Sequence, residues 1–264
     1  MNLVKLHELW DSRADLGIEA GTRDLIAKQL EIEAISKYVK EGMTILDAGC
    51  GNGITAIELA KAYEVNIIGV DFAPKMIESA TTELTKTHNL KGKVVFKEED
   101  ITEPILPFQS IFDIVYTERV IINFGDWPIQ KSVIETLGTY LKPGGFYIMC
   151  ECSQDGLDKI NSLRHQIGLP AINPPWHNHY LRDAEVEGSS IQGLHLERVE
   201  DFSSTYYFLS RVVNAWLSAQ ESKEPNYNSP INALALKLPS FSDLGQVKLW
   251  IWKKEVQRAG RQRD

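Results

Sequence analysis

The chain has 264 residues, 43% of them hydrophobic and 24% charged, an ordinary balance for a globular protein. That length suits one large domain, or one domain with a small appended lobe. The formal net charge of -8 speaks against a dedicated nucleic-acid binder, because such proteins carry a basic face. No run of about 18 apolar residues and no basic, apolar-cored leader occurs, so the expectation is a soluble cytoplasmic protein without a membrane partner. Cys50, Cys150 and Cys152 are sparse and odd in number, and Cys150-x-Cys152 is too short for a C-x-x-C metal or redox motif. Reduced thiols and no metal are expected. The basic run Lys253, Lys254, Arg258, Arg261 and Arg263 reads as a solvated tail.

Leu3, Leu6, Leu9 and Trp10 fall at helical spacing and predict a helix over 2–15. A polar, glycine-containing link over 15–23 follows, then a second helix over 24–39 with Leu25, Leu30, Ile32, Ile35 and Val39 on broadly one side. Strands are expected at 44–48, 66–70, 93–97, 112–116 and 146–151, alternating with helices at 54–62, 74–87 and 128–140. Pro74 suits a first helical turn, where its missing N–H costs nothing. Lys142-Pro143-Gly144-Gly145 reads as a helix terminator and turn. Such alternation means right-handed βαβ units and a parallel sheet. Beyond Cys152 the pattern is less regular. A helix at 157–167, an irregular segment with three prolines at 169–180, a strand at 194–202, an apolar helix at 205–219, a loop at 222–230 and a last strand at 246–252 are expected.

Residues 45–53 read ILDAGCGNG, a buried strand running into a turn with Gly49, Gly51 and Gly53 before a helix. Glycine tolerates positive φ and lets a ligand approach the backbone. The second strand ends in Asp71, which can accept hydrogen bonds from a ribose diol. A glycine turn followed about twenty residues later by an acid points to an adenosine-containing ligand, a signal shared by nicotinamide, flavin and S-adenosylmethionine proteins. The pyrophosphate fingerprint G-x-G-x-x-G is not met, since the spacing is Gly49-x-Gly51-x-Gly53 with Thr55 and Ala56 after it.

The words LDAGCGNG, GVDFAPKMIESA, EEDI and LKPGGFYI, in that order, resemble a class I S-adenosylmethionine-dependent methyltransferase over residues 43–151. The resemblance implies an α/β fold with a doubly wound, mostly parallel, seven-stranded Rossmann-like sheet. A helical lid would occupy 1–42, the cofactor-binding core 43–151 and the acceptor-binding part 152–264. The family's last two strands normally form a hairpin; roughly 40 residues separate the candidates here, so a helical insertion near the C-terminus is implied. For S-adenosyl-L-methionine, the resemblance assigns Gly49 and Gly51 to the methionine part, Asp47 to its amine and Asp71 to the ribose. Phe72 and Met76 would cover the adenine, Asp100 accept from its amino group and the Ile101 N–H donate to its ring. Glu118 would lie under the amino-acid end, and Trp10 and Arg13 would lid the site. The plainer roles are a helix cap for Asp71, core for Met76 and Trp10, and solvated positions for Asp100 and Arg13.

An activated sulfonium asks the protein mainly to align donor and acceptor and exclude water. A hydroxyl acceptor also benefits from a general base near neutral pH. The Trp176-His177-Asn178-His179-Tyr180 cluster offers His177 or His179 as that base, with Trp176 and Tyr180 as walls. Arg119 and Asn123 of TERVIINF, and Tyr206, Tyr207 and Arg211 of the late helix, extend the acceptor site. Arg suits an anionic group, although Arg211 could equally pair with an acid while the tyrosines pack. A likeness to methyltransferases of cell-surface polysaccharide assembly leans toward O-methylation of a sugar, phospho-sugar or related glycan precursor. The competing readings are transfer to N or C of another small molecule, a nicotinamide oxidoreductase, and a non-catalytic binding subunit. Thr117-Glu118-Arg119-Val120 stands where N-directed enzymes of this fold carry Asn/Asp-Pro-Pro-Tyr/Phe, which disfavours nucleobases. A homodimer is compatible with the sequence.

Overall fold

The computed structural model describes residues 3–19, 21–105 and 108–256. Asn2 and the basic positions Arg258, Arg261 and Arg263 lie outside them. Helix α1 (Leu3–Arg13) continues into a 3-10 turn (Ala14–Glu19) where a polar link was expected. Helix α2 (Leu25–Ser36) is capped by Asp24, whose Oδ1 accepts from the Ala27 N–H at 3.1 Å.

The alternating core then follows: β1 (Thr44–Ala48), α3 (Ile54–Ala62), β2 (Asn66–Asp71), α4 (Pro74–Lys86), β3 (Lys93–Glu98), β4 (Phe112–Glu118), α5 (Trp127–Thr139) and β5 (Leu141–Cys152). Helix α6 (Gln154–Gln166) begins earlier than the apolar spacing predicts, because Ser153 Oγ accepts from the Gly156 N–H at 3.0 Å and supplies a cap. A short α7 (Asp183–Glu187), β6 (Leu194–Glu200) and β7 (Val247–Lys254) complete the regular scaffold. The implied insertion lies between β6 and β7. It carries α8 (Ser204–Tyr207), a π-helical stretch (Phe208–Asn214), α9 (Ala215–Gln220) and α10 (Pro230–Ala233). The expected single helix at 205–219 is thus one continuous coil with a π segment at its centre.

The seven strands form one sheet in the order β3-β2-β1-β4-β5-β7-β6. Strands β3, β2, β1, β4 and β5 pair in parallel, and β7 runs antiparallel between β5 and β6. Strand order reverses between β1 and β4, which opens a crevice at the carboxyl ends of the strands. Ile45, Leu46, Ile114, Val115 and Ile148 are fully buried, as expected of central strands covered on both faces. Pro143-Gly144-Gly145 does not precede β5 but lies within it. The pairing with β4 shifts register there, a bulge that Gly144 accommodates at φ 81°.

The N-terminal helix stands apart from this core. Ala14, with the half-buried Trp10, packs on Phe72, Ala73 and Met76 in a small apolar cluster separate from the main one. Helix α1 and the turn after it therefore rest on the same side chains that wall the crevice.

Candidate active site

The glycine turn is strapped to β2 by its own backbone. The Gly49 and Cys50 N–H groups both donate to Val70 O, at 2.8 and 2.9 Å. Gly49 has φ 81°, and a Cβ there would stand 2.5 Å from Val120, so glycine lets the chain leaving β4 close over the turn. The backbone at Gly51 faces open space: a Cβ there would meet nothing within 4 Å. Asp71 joins turn and strand, Oδ2 accepting from the Gly51 N–H and Oδ1 from the Ala73 N–H, each at 2.9 Å. Burial pushes this carboxyl up, against the pull of those two N–H groups.

One cleft runs over these groups. From the lid it takes Leu6, Trp10, Gly21 and Lys28, and from the β1 and β2 ends Asp47, Gly49, Gly51, Asp71, Phe72 and Met76. From β3 it takes Glu99 and Ile101, and from β4 Glu118, Arg119, Val120, Asn123 and Phe124. The lining fits S-adenosylmethionine group by group. Ile101, Met76 and Phe72 offer apolar cover for a base and Asp71 a carboxylate for a diol. Gly51 leaves room for close approach, and Asp47 and Glu118 supply negative charge for an ammonium. When bound, the cofactor supplies an electrophilic methyl on its sulfonium; the chain supplies alignment and shelter from water.

Beneath the cleft lies a buried charge network. Glu118 accepts from Lys28 Nζ and from Thr55 Oγ1, both at 2.6 Å. Burial, the largest single influence, would raise its pKa, but the Lys28 ammonium, the neighbouring Glu31 carboxyl and the Arg119 charge together outweigh it and hold the carboxyl down at about 2. Arg119 Nη2 sits 3.0 Å from Glu31 Oε2, and Glu31 is 1% exposed. Burial pushes Glu31 well up. Glu151 Oε1 takes the Val120 and Ile121 N–H groups at 3.0 Å each, fixing the segment that leaves β4.

Asp47 and Glu151 are both raised by burial to about 7. An acid whose pKa is higher folded than unfolded binds an extra proton in the native state, so stability falls as pH rises from about 4 to about 7. Glu118 acts oppositely, but its contribution is lost only as pH falls below the ordinary carboxylate range. The ligand-free protein should therefore melt at a higher temperature at about pH 5.5 than at about pH 7.5. Asp47→Asn and Glu151→Gln should each flatten that profile, read by calorimetric Tm. A slope unchanged in both variants would contradict it.

The crevice gathers Trp10, Asp47, Gly49, Gly51, Asp71, Phe72, Met76, Ile101, Glu118 and Arg119 from the sequence candidates. Asp100 is not among them: it is exposed, its Oδ1 accepts from the Thr102 N–H at 2.9 Å and from Thr102 Oγ1 at 2.7 Å, and Glu99 lines the cleft instead. Arg13 lies over the Trp10 ring, its Cζ 5.4 Å from the centroid.

The acceptor candidates separate. His177 is buried edge-on between Trp10 (5.9 Å between centroids) and Trp176 (5.4 Å), and its Nδ1 has no hydrogen-bond partner. Burial, with the Arg13 charge, lowers its pKa, which keeps the ring neutral. His179 is exposed and lines a second, open cavity with Asp126, Tyr180, Arg182 and Glu185. Trp176 is 64% exposed, and the Tyr180 hydroxyl accepts weakly from Gln246 Nε2 at 3.4 Å.

Two candidates are corrected outright. Tyr206 is 1% exposed, and its hydroxyl donates to Asp24 Oδ1. Arg211 pairs with Asp24 Oδ2 at 2.7 Å and packs on the rings of Tyr206, Tyr207 and Tyr227. Asp24 is itself buried, so this ion pair staples the start of α2 to the insertion and leaves neither side chain free for an acceptor. Arg119 lines the cleft, but its guanidinium is committed to Glu31.

Sequence reasoning missed Lys28, Glu31, Thr55 and Glu99. A signal existed for Glu31, which falls four residues from both Ala27 and Ile35 on the buried face of α2, where an acid needs a partner.

The described geometry is that of a nucleoside-binding α/β crevice with an acidic floor. A methyltransferase domain family model matches residues 39–258, and the chain belongs to that family. It is 33% identical over 195 residues to 27-O-demethylrifamycin SV methyltransferase of Amycolatopsis mediterranei, covering 70% of this chain and 67% of that one. It is also 33% identical over 107 residues to phosphoethanolamine N-methyltransferase 1 of Arabidopsis thaliana, covering 40% of this chain but only 20% of that one. Among solved structures, magnesium protoporphyrin IX methyltransferase from Synechocystis with bound S-adenosylhomocysteine shares the fold. Its TM-score is 0.54 at 13% identity, covering 86% of this chain and 84% of that one. The protein is an S-adenosylmethionine-dependent methyltransferase of the class I fold. Among the described residues, no helix is long and apolar enough to cross a membrane.

Proposed function

We propose that the enzyme methylates oxygen on a small polar acceptor, of the sugar or glycan-precursor kind, with His177 as general base and residues 152–264 forming most of the acceptor side. The observation that carries this is the buried, neutral imidazole of His177 against Trp10, itself a wall of the cofactor cleft. A neutral imidazole accepts a proton as the hydroxyl oxygen attacks, and Trp10 and Trp176 keep water from it. The 64% exposed Trp176 beside it offers an apolar face on which a sugar ring can stack. The A. mediterranei relative, whose name denotes transfer to an oxygen, supports the choice of atom. A phosphorylated acceptor draws less support, because Arg211 and Arg119 are each paired with a buried carboxylate.

The test is a mass-shift screen of sugars, phospho-sugars and small acids with S-adenosylmethionine, followed by kinetics on the best substrate. His177→Asn should lower kcat about 100-fold or more with unchanged affinity for S-adenosylhomocysteine, and His179→Asn should stay within about twofold. Full turnover by His177→Asn would discard the assignment.

A further inference from the structure

Asn123 ends the 3-10 turn (Ile121–Asn123) that follows β4, and it is 7% exposed. Its side-chain amide is held in one orientation: Nδ2 donates to Arg119 O at 2.9 Å and to Val120 O at 3.2 Å. Turning the amide over would set Oδ1 against those two carbonyls, so the geometry forbids the flip. Oδ1 is left buried without a donor, on a residue that lines the cleft. Its neighbours in the lining, Val120 and Phe124, are apolar and offer none. A buried acceptor in that state is unfavourable, and the cost is recovered when a ligand brings a donor.

The sheet order says which ligand. Read across the crevice, Glu99 and Ile101 follow β3, Asp71 ends β2, Gly49 follows β1 and Glu118 ends β4. The ends of β2 and β4 lie two strand spacings, roughly 10 Å, apart. A cofactor laid along this order would meet a partner for each of its donors before Asn123 is reached: Glu99 after β3 for the adenine, Asp71 for the ribose, and Asp47 and Glu118 for the ammonium. Asn123 lies past β4, and the neighbouring Ile122 O accepts from the His179 N–H at 2.6 Å. Gln130 Nε2 holds the same loop through His179 O at 2.9 Å. Asn123 and the segment bearing His177 are thus pinned side by side.

We propose that Asn123 Oδ1 receives a hydrogen bond from a neutral hydroxyl or amine of the methyl acceptor, and that this contact selects donor-bearing acceptors over ethers and carboxylates. The inference rests on the small-acceptor reading above and deepens it. An ether oxygen brings no donor, and a carboxylate brings a second acceptor against the first.

Phenol, anisole and benzoate serve as probes of one shape, their affinities read by saturation-transfer NMR on the enzyme loaded with S-adenosylhomocysteine. The wild type should bind phenol about tenfold more tightly than anisole or benzoate. Asn123→Leu, similar in shape, should bind phenol and anisole alike, while Asn123→Asp, which keeps an acceptor oxygen, should retain part of the preference. Affinity for S-adenosylhomocysteine should stay within about threefold in all three proteins, which separates loss of the contact from loss of the fold. Equal binding of phenol and anisole by the wild type, no binding of phenol, or an undiminished preference in Asn123→Leu would overturn the proposal. Full turnover by His177→Asn would remove the base and leave the phenol-to-anisole ratio as expected, so the two readings fail separately.

Discussion

Asp71→Ala should weaken binding of S-adenosylhomocysteine by roughly 100-fold or more, measured by calorimetry at neutral pH. Hydrogen bonds to a charged acceptor contribute about 1.5–3 kcal/mol each, and two ribose hydroxyls are at stake. The carboxylate also orients the turn, through Gly51 and Ala73. Asp71→Asn should be nearly as weak. An amide has only one oxygen, so satisfying Ala73 turns its NH2 against the Gly51 N–H. A helix cap alone would give a different pattern: a lower Tm with cofactor affinity intact, which would remove the ribose role.

Arg119→Met should lower stability by about 1–3 kcal/mol, because it takes the 3.0 Å partner from Glu31, a carboxyl 1% exposed that burial already drives toward its neutral form. For a chain of this size that is a fall in Tm of about 5 °C. Arg119 also stands in the left-handed region at φ 57°, a conformation a non-glycine side chain adopts at a cost. Glu31→Gln in the same chain should restore part of the loss by replacing the unpaired acid with a neutral amide. If Arg119→Met instead kept its Tm and raised only the KM of the acceptor, Arg119 would be a substrate ligand and the ion pair incidental.

Legibility in the sequence followed the range of the forces involved. The glycine turn and Asp71 were readable because both are local: strand, turn and acid lie within some 30 residues and their spacing reports the geometry. Strands β1, β2, β4 and β5 are readable because strands covered on both faces are rich in apolar residues, whereas β3, at the sheet edge with Val95 51% exposed, shows only a short apolar core. What was lost was decided at long range. Asp24 and Arg211 are 187 positions apart, and only the fold shows that the arginine already has its acid. The sequence points to Asp100 and not to Glu99, which lines the cleft, because one-residue shifts at the end of a strand reverse which side chain faces the cleft, and the letters EED do not fix that register. His177 and His179 look alike in sequence, yet the chain between Ile122 and Gln130 pins the loop so that one is buried on Trp10 and the other is exposed. Pro143-Gly144-Gly145 reads as a turn in the sequence yet forms a bulge inside β5, because Pro-Gly-Gly serves both purposes.

The most direct test of the account is a crystal structure of the enzyme with S-adenosylhomocysteine. It should show the ribose diol on the Asp71 carboxylate, the adenine against Met76 and Ile101, and the amino-acid end above Gly49 beside Glu118. A nucleoside bound elsewhere, or bound in this crevice with its diol away from Asp71, would contradict it.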